Sequence, residues 1–231
     1  MTLYLLPNLL FTETEEIRLL PPAAGQALAK LEGLIAESPK EGRLYLKRFG
    51  RKELPLAFLS EHTSEKEVDA LLEPMKKGKV WGLISDAGMP CLADPGALLV
   101  RRAREAQVKI AAFCGPSSIL LALILCGMQG QRFSFHGYLP REEDKRCLAL
   151  KELEKRASRE ESTQLFIETP YRNEALVASA LLALGPKTYF GIALDLTAET
   201  EEVYCLPVQE WKKRTLPRLD KRPAVFLIGT R

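Results

Sequence analysis

Two consecutive strand–loop–helix units constrain this chain more than any other feature. The first begins with the apolar run Val80–Ile84, which reads as a buried strand. It stops at Ser85-Asp86-Ala87-Gly88-Met89-Pro90, a loop of small residues with one carboxylate. Asp94-Pro95-Gly96 then reads as a helix start, with Asp94 as N-cap and Pro95 in the first helical position. The second unit has a strand at Lys109–Phe113, the turn Gly115-Pro116-Ser117-Ser118, and the apolar run Ile119–Leu125. Either loop alone is ordinary turn chemistry. Two such loops on one edge of a parallel sheet can bracket one small ligand, because open α/β sheets hold ligands at the carboxyl ends of their strands.

The remainder of the first half repeats this alternation. Thr2–Leu6 is a short strand stopped by Pro7. Pro22–Leu31 is a helix and Leu34–Ala36 a strand that ends at Glu37-Ser38. Glu37 at a strand end is a candidate active-site carboxylate; a surface acid in a loop is the alternative. Arg43–Phe49 reads as a helix and Leu56–Leu59 as a strand. Ser64 caps the next helix, with Glu67 at capping-box distance. Regular β–α alternation of this kind makes a parallel sheet with helical crossovers. The Ile119–Leu125 helix is apolar nearly all round, so it is expected to be buried between two sheets. A domain junction is expected near Gly130–Arg132, giving domains at 1–130 and 131–231.

The second half alternates differently. Phe133–Tyr138 and Thr163–Ile167 read as strands separated by a charged helix at Glu142–Ser158. A helix at Asn173–Leu184 is closed by Gly185-Pro186. Strands at Lys187–Leu194, Glu201–Leu206 and Ala224–Ile228 follow closely enough to require antiparallel pairing and a mixed sheet. The expected fold is α/β and two-lobed, with an N-terminal parallel sheet, a C-terminal mixed sheet and a cofactor cleft between them.

Composition excludes several classes. Five cysteines form no C-x-x-C pair, which argues against a disulfide framework or structural zinc and for a reducing cytoplasm. The two histidines lie far apart and have no metal-ligand spacing. The N-terminus lacks a basic region and a cleavage site, so no signal peptide is expected. The longest apolar stretch is interrupted by Gly115-Pro116-Ser117-Ser118, so no membrane span is expected. No G-x-G-x-x-G, P-loop or Ser-His-Asp pattern occurs. Net charge is only +3. Basic residues do cluster at Lys212-Lys213-Arg214, Arg218 and Lys221-Arg222, either as a phosphate-binding rim or as a solvated face.

Four ordered segments carry a family resemblance: Ile84–Gly96, Gly115–Ile119, Phe133–Pro140 and Gln164–Asn173. Together they resemble the tetrapyrrole methylase superfamily. The closest branch is the small-subunit rRNA cytidine 2′-O-methyltransferases, whose first such loop reads S-D-A-G-T-P…D-P-G. The usual G-G-D-P loop of the tetrapyrrole enzymes is absent. Three places depart from the rRNA pattern. Pro7-Asn8-Leu9-Leu10 lacks the glycine of T-P-x-G-N-L, Ser38 replaces an aspartate, and Leu194 stands where an arginine is usual.

The resemblance implies S-adenosylmethionine as cofactor, rRNA or the small ribosomal subunit as partner, and a homodimer. It places Pro7, Ser85, Asp86, Ala87 and Met89 at the cofactor, with Pro116, Ser117 and Ser118 on the next loop. Ile167 and Leu194 match positions that close over the adenine end. Arg172 matches a family arginine that can hold a substrate phosphate, and a salt bridge with Glu168 is the alternative. Two other readings stay open: a small-molecule substrate such as a tetrapyrrole, and a non-catalytic S-adenosylmethionine-binding protein.

Overall fold

The computed structural model describes residues 1–11 and 20–229. The chain divides into two compact units, Met1–Ser117 and Ser118–Arg231.

The first unit is a five-stranded sheet. Its strands are β1 (Thr2–Leu5), β2 (Gly33–Ala36), β3 (Leu56–Phe58), β4 (Val80–Leu83) and β5 (Lys109–Ala112). They run in the order β3-β2-β4-β1-β5 and every pair is parallel. The crossovers are α1 (Pro22–Leu28), α2 (Pro39–Arg48), α3 (Glu65–Lys76) and α4 (Ala97–Glu105). From β1 to β3 the chain moves toward one edge; from β3 to β5 it moves back. Right-handed crossovers therefore put α1 and α2 on one face and α3 and α4 on the other.

The two cores of this unit show that division. Ala24, Leu28, Tyr45 and Leu46 of α1 and α2 pack with Leu6, Leu34, Ala36 and Ile84. Val68, Leu72, Met75, Leu99 and Ala103 of α3 and α4 pack with Leu3, Ile35, Trp81 and Leu83. Alternate residues of each strand thus serve opposite cores, which is why these strands are nearly continuous apolar runs. Close packing uses glycine where a side chain has no room. A Cβ on Gly33 would lie 2.4 Å from the Trp81 ring.

The Ser64–Glu67 capping box forms as expected. Helix α2 begins earlier than expected. Ser38 is its N-cap, accepting from the Glu41 N–H at 3.3 Å, and Pro39 opens its first turn. The Asp94 cap is a correction. Helix α4 starts at Ala97, and Gly96, at φ 134°, is its cap. Such a φ favours glycine, and Gly96 also makes room for Cys91: a Cβ there would meet its Sγ at 2.6 Å. Asp94 is left in the loop, where its carboxyl has another environment.

The second unit is a mixed sheet of β6 (Phe133–Tyr138), β7 (Thr163–Glu168), β8 (Tyr189–Leu194), β9 (Glu202–Pro207) and β10 (Ala224–Gly229). The order is β6-β7-β10-β8-β9, with β6 and β7 parallel and the rest antiparallel. Helices α6 (Glu143–Glu160) and α7 (Asn173–Ala183) contribute Leu150, Leu153, Ala157, Leu176, Val177 and Ala180 to its core. Phe166, Phe226 and Phe190 stack across three neighbouring strands, with ring centroids 5.9 and 6.1 Å apart. Trp211, in the short helix α8 (Val208–Trp211), closes this core and donates to the Phe190 carbonyl at 2.8 Å.

Helix α5 (Ser118–Cys126) differs from the expectation of a helix buried all round. It packs on β8, β9 and β10 through one face; Ile119, Ala122, Leu123 and Cys126 are buried. On its other face Ile124 is 70% exposed, and Leu120 and Leu125 are also exposed.

Candidate active site

Strand order locates the site. Strand β4 lies between β2 and β1, and its outgoing connection runs opposite to theirs. Connections reverse between β3 and β2 and on each side of β4, so two of the three crevices of reversed connection flank the carboxyl end of β4. Crevices of this type take ligands, because diverging loops leave a gap above the sheet edge. The loop at that end is Ser85-Asp86-Ala87-Gly88-Met89.

Hydrogen bonds weld the loops after β1 and β4. The Asn8 side-chain amide donates to the carbonyls of Ser85 (3.2 Å) and Asp86 (3.1 Å). The Asn8 N–H donates to Gly88 O at 2.8 Å. The Asn8 side-chain oxygen accepts from the Leu9 N–H and from Arg48. Pro7 is held from below, where its carbonyl accepts from the Tyr45 hydroxyl at 3.2 Å. The chain lacks the family glycine here, and a fully buried Asn8 shapes the turn instead.

The loop after β5 packs on the same place. A Cβ on Gly115 would lie 2.0 Å from Pro7 Cβ and 3.4 Å from Met89 Sδ. Gly88, at φ 69°, faces the Pro116 carbonyl, 3.2 Å from where its Cβ would sit. The loop after β2 joins through a reciprocal pair. Asp86 N–H donates to Glu37 at 3.3 Å, and Ser38 N–H donates to Asp86 at 3.1 Å.

Pro7, Glu37, Ser85, Asp86, Met89, Pro116 and Ser117 thus meet on one sheet edge of the first unit. Ala87 is exposed on that edge, Asp86 and Met89 are half-buried, and Ser85 and Ser117 are buried. Ser118 is the first residue of α5 and belongs to the second unit.

The local electrostatics are acidic. Burial raises the Glu37 carboxyl above its ordinary pKa, with the charges of Asp86 and Glu61 adding to it; the Asp86 N–H works the other way. Asp94 is pushed up to about 6, by burial first and then by the charge of Glu37, while the Ser85 hydroxyl pulls it back. The Cys91 thiol beside it is pushed up to about 11, by burial and by Asp94, and stays protonated at neutral pH. Clustered, partly desolvated carboxylates suit a ligand with net positive charge. S-adenosylmethionine carries a sulfonium and an ammonium against one carboxylate, and its ribose hydroxyls are donors to the same acids, so the residues present fit it.

The candidate residues of the second unit lie elsewhere in its fold. Arg172 takes the alternative partner. It forms an ion pair with Glu168, whose side chain is fully buried, and its Nε also lies 3.0 Å from Thr169 Oγ1. Ile167 is half-buried on β7, and Leu194 is wholly within the core. In the C-terminal basic cluster, Arg222 bonds Asp195 at 2.6 Å and Glu202 at 2.8 Å. Lys213 pairs with Glu210 at 2.9 Å, and Arg214 lies over the rings of Tyr204 and Trp211.

Sequence reasoning assigned no site role to Asn8, Tyr45 or Asp94, and took Asp94 for a helix cap. For Asn8 the usable signal was a polar residue inside an apolar strand end. For Asp94 it was the following proline and glycine, which compete for the helix start.

Among the described residues no helix is long and apolar enough to cross a membrane, and no cluster of His, Cys, Asp and Glu can hold a metal ion.

Comparison with known proteins gives the family. The family model of tetrapyrrole (corrin/porphyrin) methylases matches residues 18–211. Ribosomal RNA small subunit methyltransferase I of Pasteurella multocida is 32% identical over 170 residues, covering 74% of this chain and 59% of that protein. The protein of that name from Thermotoga maritima is 31% identical over 185 residues, covering 80% of each chain. This chain spans about three fifths of the length of several such relatives. Among solved structures, diphthine synthase superposes with a TM-score of 0.69 at 16% identity, covering 100% of this chain and 90% of that one. The methyltransferase CobJ gives 0.65 at 17% identity, covering 99% and 93%. At these identities the superpositions concern the fold. With the family model matched from residue 18 to residue 211, the chain belongs to the tetrapyrrole methylase family.

Proposed function

We propose that this chain is an S-adenosylmethionine-dependent methyltransferase that methylates a ribose 2′-hydroxyl of small-subunit rRNA. The convergence of four strand-end loops on the carboxyl end of β4 carries the proposal. The relatives named as rRNA small subunit methyltransferases give the substrate class.

When bound, S-adenosylmethionine supplies a methyl group already activated on a sulfonium. The protein's share is to hold and align the reactants and to exclude water. Pro7, Ser85, Asp86, Ala87, Met89, Pro116, Ser117 and Ser118 hold the cofactor in this reading. Asp86 accepts from its amine or hydroxyls. By the family resemblance, Ile167 and Leu194 are the positions proposed for its adenine end; in the second unit the Leu194 side chain is part of the core.

A ribose hydroxyl must lose a proton as it is methylated. Glu37, whose carboxyl burial holds above its ordinary pKa, is the acceptor in this reading. Arg172, which the resemblance marks as able to hold a substrate phosphate, is engaged by Glu168 in this structure. The working form is a cytoplasmic homodimer in this reading, and the exposed apolar residues Ile124 and Leu125 of α5 are the surface a second copy covers.

The fold serves several substrates, so fold alone does not decide between RNA and a tetrapyrrole. Two measurements test the proposal: calorimetric binding of S-adenosylmethionine, then transfer of a labelled methyl group to small ribosomal subunits lacking the modification. Saturable binding with transfer to rRNA ribose supports it. Binding with transfer only to a tetrapyrrole moves the chain to the small-molecule reading, and binding with no transfer at all makes it a binding protein.

A further inference from the structure

Helix α2 begins at the site, with its cap Ser38 bonded to Asp86, and runs away from it along edge strand β3. Tyr45 and Leu46 are buried beneath it, while Arg43 and Lys47, one helical turn apart, are exposed. After the helix, Lys52 is exposed and Leu54 returns toward β3.

These residues line a groove of about 420 Å³, with Leu46, Leu54 and Leu56 as its floor and Arg43, Lys47 and Lys52 as its rim. The volume falls within the roughly 300–1,000 Å³ typical of small-molecule sites. None of the three cations has an ion pair among the described residues. Their neighbours do: Lys40 lies 3.5 Å from Glu41, and Arg51 lies 2.7 Å from Glu53. Among the described residues the rim contains no acid. The arrangement contrasts with the C-terminal cluster, where Lys213, Arg214 and Arg222 are already committed within the protein.

We propose that this groove is an RNA contact outside the reaction centre, with backbone phosphates on Arg43, Lys47 and Lys52 and a base or ribose face against the leucine floor. The assignment rests on the rRNA reading above. Its charge, its cations without an ion pair among the described residues and its apolar floor match a single-stranded or looped nucleic acid, which presents phosphate and an unstacked base side by side. By the helix rise, Arg43 and Lys47 stand roughly 6 Å apart along the axis. Arg43 lies about 7.5 Å along the axis from Ser38, so an RNA strand on the rim passes close to the cofactor loops.

The test compares the full chain with two charge-matched variants. The first is Arg43→Gln/Lys47→Gln/Lys52→Gln; the second is Lys151→Gln/Lys155→Gln/Lys187→Gln on the other unit. Binding of each to small ribosomal subunits lacking the modification is measured from 50 to 300 mM salt, alongside binding of S-adenosylmethionine. Each phosphate contact contributes about 0.7 to the salt slope for single strands, so losing all three lowers the slope by about 2. At 0.1 M salt the first variant is expected to bind RNA on the order of 100-fold more weakly, with cofactor binding unchanged. The second variant is expected to keep the parent slope. Equal slopes for all three proteins, or equal losses in both variants, overturn the groove assignment while the rRNA reading stands. A parent chain that binds cofactor but no ribosomal RNA overturns both. Lys47→Glu alone, expected to raise the Kd at least tenfold, serves if the triple variant fails to fold.

Discussion

Glu37 and Asp86 hold each other's loops. The Asp86 N–H donates to the Glu37 carboxylate, and the Asp86 carboxylate accepts from the N–H of Ser38, the residue after Glu37. Two acids that would repel in water are fixed side by side because each accepts from a backbone N–H of the other's loop. Asp86→Ala removes the acceptor for Ser38 and is expected to cost about 1 kcal/mol of stability, the usual value for one hydrogen bond. It is also expected to weaken S-adenosylmethionine binding by tenfold or more. Asp86→Asn keeps an acceptor for Ser38, so it should restore the melting temperature without restoring affinity. Calorimetry and thermal melting on both variants separate the two roles; parallel recovery of both would make the loop merely structural.

Asp94 carries a pH signature. Its pKa is about 6 in the folded chain and ordinary when unfolded, so between those values the native state binds more protons than the unfolded state. This contribution to stability is complete below the ordinary aspartate pKa and is lost as pH rises through about 6. Asp94→Asn cannot ionise. Its melting temperature relative to the parent should therefore rise from pH 4 to pH 6 and level off above. Melting curves at half-unit pH intervals check the sign. A constant difference across that range would place Asp94 in an ordinary solvated environment.

The alternation of strands and helices was legible because each strand of the first sheet feeds two cores and is apolar along its whole length. The loops that bracket the site were legible for a related reason: glycine, proline and small polar residues interrupt apolar runs at Ser85–Pro90 and Gly115–Ser118. What stayed hidden depends on partners distant in sequence. Asn8 looks like a turn residue until its amide is seen to reach Ser85 and Asp86. Asp94 looks like a helix cap until the positive φ of Gly96 is known. Helix α5 reads as wholly buried because composition does not say how many of its faces are covered. The C-terminal basic cluster reads as one surface, although Arg222 is turned inward by Asp195, which is 5% exposed.

That last arrangement gives a stability prediction. Arg222 bonds Asp195, Glu202 and the Thr200 carbonyl, so it ties the β8–β9 connection to the start of β10. Removing it leaves Asp195 buried and uncompensated. Arg222→Gln is expected to destabilise the fold by about 3 kcal/mol, the lower end for breaking a buried pair. Denaturant unfolding measures this. Lys212→Gln, in the same basic cluster but exposed, should leave stability within about 0.5 kcal/mol of the parent.

Gly115 tests the convergence of loops on which the active-site reading stands. Its missing side chain lets the loop after β5 lie against Pro7, where a Cβ would come within 2.0 Å of the proline ring. Pro7 cannot move away freely, because its carbonyl is held by Tyr45 and the following Asn8 is bonded to the β4 loop. Gly115→Ala must therefore push the β5 loop outward and carry Pro116 and Ser117 with it. Overpacking of this kind costs about 1–3 kcal/mol. The larger expected effect is on the ligand, since displacement of one bracketing loop should reduce S-adenosylmethionine affinity at least tenfold. Gly130→Ala, with open space around its Cβ position, provides the control and should change neither quantity. Parent-like affinity in Gly115→Ala would mean that the β5 loop does not touch the cofactor, and the site would shrink to the loops after β1, β2 and β4.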